Sequence, residues 1–158
     1  MNKKYGDSIL LRYKYAIEYI DDYDEVILDL EKEKILKNGY LISNSLGSDI
    51  FSDFDSIKEE IEQLLKVLSG ELPIFESGGN LNLISSDKHK TVIEDIFADE
   101  DEGDCICTIE TVEYTKIILI WAKESIKYKN KRGVLSAEEA DERIGWIKEK
   151  WSELNFTN

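Results

Sequence analysis

Residues 105–129 read CICTIETVEYTKIILIWAKESIKYK, and this stretch contains both kinds of regular structure. Its first five residues combine two cysteines at alternate positions with three β-branched side chains, which predicts a strand at 105–109. From Tyr114 onward the apolar residues recur at helical spacing, which predicts a helix buried on more than one side. Residues 115–121 taken alone also fit a central strand. We prefer the helix because residues 122–129 continue with good helix formers.

The region before this stretch predicts strands joined by a tight turn. Residues 26–30 form a candidate strand whose apolar side chains alternate along one face. Further on, Asn38-Gly39 stands between the short apolar runs 35–37 and 40–42. Both turn residues tolerate positive φ, so this arrangement predicts a β-hairpin.

Three further helices are predicted from capping residues and apolar periodicity. The first begins at Asp7 or Ser8 and runs to about Ile20. The second helix begins at a capping box that starts with Ser56, and it ends at Gly70. The third helix begins at a capping box that starts with Ser136. Their apolar stripes are Ile9, Tyr13, Ala16, Ile17 and Ile20; Ile57, Ile61, Leu64, Leu65 and Leu68; and Ala140, Ile144, Ile147, Trp151 and Leu154.

Two segments in the middle of the chain complete the pattern. Residues 80–85 are a candidate strand, and 90–98 fit either a short helix or a strand. The whole chain, 1–158, therefore predicts a single α+β domain. Its antiparallel or mixed β-sheet is packed with about four helices, and residues 155–158 are expected to be frayed.

Composition excludes several classes of function. With 20 Lys and Arg against 34 Asp and Glu, the formal net charge is −14. Such a charge repels phosphate backbones, so we expect no nucleic-acid partner. The longest apolar run, Ile117–Ala122, is far shorter than the roughly 20 residues of a membrane span. No stretch of signal-peptide type follows the basic start, so we expect a cytoplasmic protein with no membrane partner.

The sequence contains no motif of a nucleophilic, phosphate-binding or zinc-dependent enzyme. His89 is the only histidine, and we interpret it as a solvated loop residue because lysines flank it. Cys105 and Cys107 stand too close in sequence for an unstrained disulfide, and no nearby cation would activate either thiol. We therefore predict no catalytic residue, no cofactor and no structural metal.

Acidic residues gather in two groups. The first lies within 21–33, and the second runs from Glu94 to Asp104, where seven of the eleven residues are acidic. The second group is not an EF-hand, because placing Gly103 at loop position 6 puts Ile109 where a glutamate is required. Clustered like charges cost stability. They serve either solubility or the attraction of a cationic protein.

Three features carry a resemblance to a known class. They are the stretch Leu36-Lys37-Asn38-Gly39-Tyr40-Leu41-Ile42, an acidic turn that runs into a strand, and a lysine-ended helix at 110–129. In these features the chain resembles immunity proteins of bacterial polymorphic toxin and contact-dependent growth inhibition systems. The resemblance implies a protein that binds a cognate toxin domain, often a nuclease, without catalysis. It transfers no binding residues, because the class offers no motif to align with this chain.

The leading hypothesis is an immunity protein that occludes the active site of a basic toxin domain through an acidic surface. The predicted toxin-binding residues are Asp21, Asp22, Asp24, Glu25, Asp99, Glu100, Asp101, Glu102 and Asp104, together with Tyr19 and Tyr23. One alternative is a scaffold that self-associates through the apolar helices around Trp121 and Trp146. A further alternative is a metal-dependent hydrolase that uses the acidic turn.

Overall fold

The structure is a computed structural model that describes residues 3–5, 11–30, 35–99 and 105–156. These segments form seven strands and four α-helices, which confirms the predicted α+β class. The strands are β1 (Lys3–Tyr5), β2 (Tyr15–Ile20), β3 (Glu25–Leu30), β4 (Phe75–Gly78), β5 (Asn82–Ser86), β6 (Lys90–Asp95) and β7 (Ile106–Glu110). The helices are α1 (Tyr40–Ser45), α2 (Phe54–Ser69), α3 (Thr111–Lys131) and α4 (Ala137–Phe156).

The strands form two antiparallel sheets, one of three strands in the order β1-β2-β3 and one of four in the order β4-β5-β6-β7. Helix α3 lies between them and contacts β3 in the first sheet and β6 and β7 in the second. Trp121 on α3 donates its indole Nε1–H to the Val26 carbonyl oxygen of β3, at 3.0 Å. On the same free edge of β3, the Leu30 amide donates to Ser43 Oγ at 3.1 Å.

Helix α3 forms the centre of the core, because apolar side chains cover most of its circumference. This confirms the predicted helix that is buried on more than one side and excludes the alternative strand at 115–121. Its fully buried apolar residues include Tyr114, Ile117, Ile118, Leu119, Trp121 and Ala122. Helices α2 and α4 pack against it. Among the helices of the described segments, none combines the length and apolar character that a membrane span requires.

Helices α2 and α4 confirm two predictions with small shifts of their ends. Helix α2 begins two residues before the predicted box, because Asp53 Oδ2 accepts a hydrogen bond from the Ser56 amide at 3.0 Å. It ends at Gly70 as predicted, with a φ of +84°. Helix α4 begins after Ser136, whose Oγ accepts from the Glu139 amide at 3.1 Å. The helix is described as far as Phe156, and residues 157–158 of the segment expected to fray lie outside the described residues.

The predicted helix from residue 8 to Ile20 is wrong. Tyr15–Ile20 form strand β2, paired with β3, while its proposed caps at residues 7 and 8 lie outside the described residues. The apolar spacing of this segment fits a helix, but its aromatic and β-branched residues suit a pleated surface. Pairing with β3 buries Tyr15, Ala16 and Ile17 in succession, so tertiary burial decides the conformation.

The predicted hairpin at Asn38-Gly39 is also wrong. Asn38 has a φ of 61°, but Gly39 adopts a right-handed helical conformation with a φ of −56° and is the N-cap of α1. A two-residue type I′ turn needs positive φ at both positions. Residues 40–42 are helical because Leu41 and Ile42 are buried on a helix that contacts β3, β6 and β7.

Strand β6 resolves the open choice at 90–98, where Lys90–Asp95 is a strand. The strand predicted at 80–85 is confirmed as β5, but the leucines 81 and 83 face outward. Buried Asn82 fixes this orientation. Its side-chain amide donates to the Leu41 carbonyl at 3.2 Å and to Ser45 Oγ at 2.7 Å.

Candidate functional site

The start of the first acidic group forms the turn between β2 and β3. Residues Asp21–Tyr23 make a short 3-10 helix, and Asp24 follows in the left-handed conformation with a φ of 52°. The Asp24 amide donates to the Asp21 carbonyl at 3.4 Å and closes the turn. Aspartate tolerates this conformation because its short polar side chain can bond locally. Residues 21–25 are called the hairpin tip below.

The C-terminal end of α3 holds the hairpin tip in place. Arg132 Nε donates to Asp24 Oδ1 at 2.9 Å, and its Nη2 donates to the Asp21 carbonyl at 3.2 Å. Tyr128 Oη donates to Asp21 Oδ1. The hydrogen bond to Asp24 raises the pKa of Arg132. The pKa of Tyr128 is raised to about 12, mainly by burial and to a smaller extent by the hydrogen bond to Asp21. Tyr128 of α3 and Arg132, the residue that follows α3, thus bind both ends of the 3-10 turn.

Tyr19 belongs to the same contact region and does not project from it. Its ring lies 4.9 Å from the Tyr128 ring between centroids, and its Oη donates to Glu124 Oε2 at 3.3 Å. A cleft of about 400 Å³ lies beside these contacts, between the β2–β3 hairpin and the C-terminal end of α3. It is lined by Tyr19, Asp21, Glu124, Lys127, Tyr128, Lys131 and Arg132. The lining carries both signs of charge.

This arrangement divides the predicted toxin-binding residues of the first group. Asp21 and Asp24 face α3, where Tyr128 and Arg132 satisfy them. Asp22 and Glu25 are exposed, and neither carboxylate contacts a cation in the described part of the chain. Tyr23 is 74% exposed. The surface available to a partner at the hairpin tip is therefore an aromatic ring with two carboxylates.

The second acidic group is described only at its start. Asp99 is exposed in the segment that follows β6, a strand of the four-stranded sheet. The hairpin tip, in contrast, joins two strands of the three-stranded sheet. Within the described segments, no hydrogen bond or ion pair joins Asp99 to the tip. The predicted residues Glu100, Asp101, Glu102 and Asp104 lie outside the described residues.

The other candidate reactive residues occupy ordinary structural positions. Cys107 is buried in β7, and burial raises the pKa of its thiol to about 11. Neither cysteine forms a disulfide. His89 is exposed in the β5–β6 turn, where Asp87 Oδ1 accepts from the His89 and Lys90 amides at 2.8 Å. No cluster of three or more His, Cys, Asp or Glu suited to a metal occurs in residues 11–30, 35–99 and 105–154.

The two tryptophans considered for self-association make contacts within the chain. Trp121 is 2% exposed and bonds to β3. Trp146 is half-buried, with its ring edge-on to Phe54 at a centroid distance of 5.6 Å. The ammonium groups of Lys58 and Lys150 lie 5.8 and 5.5 Å from the Trp146 ring. Neither indole ring is fully exposed for contact with a second copy of the chain.

The roles of Tyr128 and Arg132 were missed by sequence reasoning. The cationic residues at the end of this helix predict a favourable interaction with its dipole. The partners of Arg132 and Tyr128 are more than 100 residues away along the chain. No local pattern carries such a contact.

Comparison of the chain with protein-family models, with curated proteins and with solved structures gives no match.

Proposed function

We propose that this chain is an immunity-type inhibitor that binds a basic toxin domain through the hairpin tip. The observation that carries the proposal is the exposure of Tyr23 on a turn that Arg132 and Tyr128 hold from behind. An aromatic side chain on an ordered turn loses little conformational entropy on binding, and tyrosine is enriched among residues that dominate interface energetics.

Charge supports a basic partner. The net charge of −14 attracts a cationic domain over a distance and raises its association rate. Asp22 and Glu25 flank Tyr23 and offer carboxylates to lysine and arginine side chains. An active site that binds nucleic-acid phosphates presents such cations, so the tip fits a nuclease-type toxin. The resemblance to immunity proteins points to the same class of partner.

The experiment uses the protein domain encoded by the adjoining upstream reading frame. Calorimetry of the full chain with that domain should give a one-to-one complex, and the domain's toxicity should be suppressed in cells that carry the chain. Tyr23→Ala should weaken binding by about tenfold or more. The double change Asp22→Ala and Glu25→Ala should mainly slow association and reduce its dependence on salt.

Two matched variants control for surface aromatic area and for charge. Tyr40→Ala removes another half-exposed tyrosine, on α1. Asp141→Ala with Glu142→Ala removes two exposed acids from α4. Both should bind as the unmodified chain does, apart from a small long-range charge effect in the second. Equal affinity of the tip variants and these controls would contradict the proposed surface, and absence of any complex would contradict the proposed function.

A further inference from the structure

The four-stranded sheet has one face covered by helices and one face open. Helices α1, α2 and α3 contact this sheet on the side where Ile84 and Ile93 are buried. On β5 the burial alternates, so Leu83 and Ser85 point to the opposite side. Leu83 is 54% exposed, and no helix of the described segments covers it. The outer face therefore meets solvent.

Exposed apolar residues gather at one end of this outer face. The Ile96 amide donates to the Leu81 carbonyl at 3.1 Å, which places these two residues side by side. Leu83 follows two positions along β5. Phe97, 69% exposed, lies at the same end of the sheet, in the turn that follows β6. We call these four residues the apolar patch. Single exposed apolar side chains are ordinary, whereas several of them side by side on an open sheet make a candidate interaction surface.

Carboxylates lie within and beside the apolar patch. Glu94 is directly opposite Leu83 on the neighbouring strand and is exposed on the same face. Glu76 on β4 is exposed on that face as well, and Asp99 is exposed just beyond Phe97. The nearest cation of the described outer face, Lys90, stands at the far end of β6 opposite Glu110. The field over the patch is therefore negative.

This charge distribution favours a basic protein over a second copy of the chain as the partner that binds the apolar patch. A second copy of the chain would bring Glu94 and Glu76 close to the same acids of its partner, between two molecules that each carry −14. Like charges at an interface oppose association. A partner that surrounds apolar side chains with lysine or arginine would instead pair with these carboxylates.

We propose that the outer face of the four-stranded sheet docks a basic amphipathic helix of another protein. The strand from Leu81 to Ser85 covers about 13 Å at roughly 3.3 Å per residue, which corresponds to about nine residues of helix. A helix of two to three turns thus places its apolar stripe on the patch and its cations beside Glu94 and Glu76. It would cover the sheet from the second side, as helices do in layered domains. This surface is separate from the hairpin tip, and either can fail alone.

The test uses a synthetic peptide of about 18 residues, built from leucine and lysine with the leucines at helical spacing. Titration of the isotope-labelled full chain should shift the amide resonances of the apolar patch and Glu94 most. Leu83→Ser and Phe97→Ser should each weaken binding by about fivefold or more. Both residues are exposed, so the variants should keep the melting temperature of the unmodified chain.

Matched controls separate the apolar patch from general attraction to an acidic protein. Ile74→Ser and Val134→Ser alter exposed apolar residues elsewhere and should bind the peptide normally. A lysine–serine peptide of equal charge should bind more weakly, and a leucine–glutamate peptide should not bind.

Three results would overturn the inference. One is a set of shifts spread evenly over the acidic surface or centred on the hairpin tip. Another is equal affinity of the Leu83→Ser and Phe97→Ser variants and the unmodified chain. The third is a dimer of the unmodified chain in sedimentation that Leu83→Ser abolishes, because the face would then belong to a second copy. If the chain binds a toxin domain but not the peptide, this inference fails and the proposed function does not.

Discussion

Arg132 Nε lies 2.9 Å from Asp24 Oδ1, and this ion pair joins the residue that follows α3 to the left-handed residue of the β2–β3 turn. The two residues are 108 positions apart in the chain, and both side chains are about two-fifths exposed. Exposed pairs add little to global stability. The effect of this pair is therefore local, on the order of the hairpin tip.

Loss of this pair should loosen the tip without unfolding the protein. In Arg132→Ala we expect amide hydrogen exchange at residues 21–25 to accelerate by about tenfold, while exchange in α3 stays unchanged. Lys131→Ala alters the exposed neighbour of Arg132 and should leave the exchange rates of the tip as they are. Unchanged exchange at the tip in Arg132→Ala would show that Tyr128 alone fixes the turn.

Glu60 should make stability depend on pH near neutrality. Its Oε2 accepts from Ser77 Oγ at 2.9 Å, yet burial dominates and raises its pKa to about 7. The folded chain then holds this proton more tightly than the unfolded chain. The resulting stabilisation is complete below pH 4.5 and is lost as the pH rises to about 7. We expect a fall on the order of 2 kcal/mol across this window.

Urea unfolding at several pH values measures this dependence. Glu60→Gln keeps a hydrogen-bonding group at the same position without a charge, so its unfolding free energy should vary less between pH 5 and 7. At pH 8 it should exceed that of the unmodified chain. Glu62→Gln, on the exposed face of α2, is the control and should retain the steeper profile. A Glu60→Gln profile as steep as the unmodified one would disprove the assignment.

Two tyrosines should respond in opposite ways to loss of the hydroxyl. Tyr114 is fully buried and its Oη has no hydrogen-bond partner among the described residues, whereas Tyr13 Oη donates to Glu110 Oε1 at 2.5 Å. Tyr114→Phe removes an unsatisfied polar atom and should leave stability unchanged or raise it by about 1 kcal/mol. Tyr13→Phe should cost about 1.5–3 kcal/mol, because a bond to a carboxylate is lost. Thermal unfolding of both variants provides the comparison, and a large loss in Tyr114→Phe would reveal a partner for that hydroxyl.

Adjacent glycines, Gly78 at the end of β4 and Gly79 in the turn to β5, should differ in their tolerance of a side chain. Gly78 and Gly79 both have positive φ, of 89° and 119°. A Cβ at Gly78 would overlap the Asn82 carbonyl oxygen, whereas a Cβ at Gly79 would meet open space. Alanine at either position carries backbone strain of about 1–2 kcal/mol. Gly78→Ala should cost about 2 kcal/mol more than Gly79→Ala in chemical denaturation, because the strands must also separate. Equal costs would mean that the turn yields without affecting the sheet.

Local sequence patterns predicted the elements whose buried face repeats regularly. The stripes of α2 and α4, the alternation in β3 and the dense apolar run of α3 each identify an element without knowledge of its neighbours. The segment that became β2 fits two periodicities, and pairing with β3 decided between them. In β5, Asn82 is buried because Leu41 and Ser45 satisfy its amide, and these partners lie 41 and 37 residues away.

The candidate site was predictable in composition but not in arrangement. The sequence identifies Asp21, Asp22, Asp24 and Glu25 as a group, and they do share one turn. Which of these carboxylates remain available depends on Arg132 and Tyr128, which arrive from the far end of the chain. The apolar patch was missed because Leu81 and Leu83 appear in sequence as core residues of their strand. Only the burial of Asn82 turns them outward.

The side-chain bonds on β3 also bear on aggregation. β3 is the last strand of its sheet, and such strands offer unpaired amides and carbonyls as a template for strands of other molecules. Here Trp121 occupies the Val26 oxygen and Ser43 occupies the Leu30 amide. An incoming strand would have to displace both before it could align. The indole of Trp121, which packs in the core, therefore also protects this edge strand against the addition of strands from other molecules.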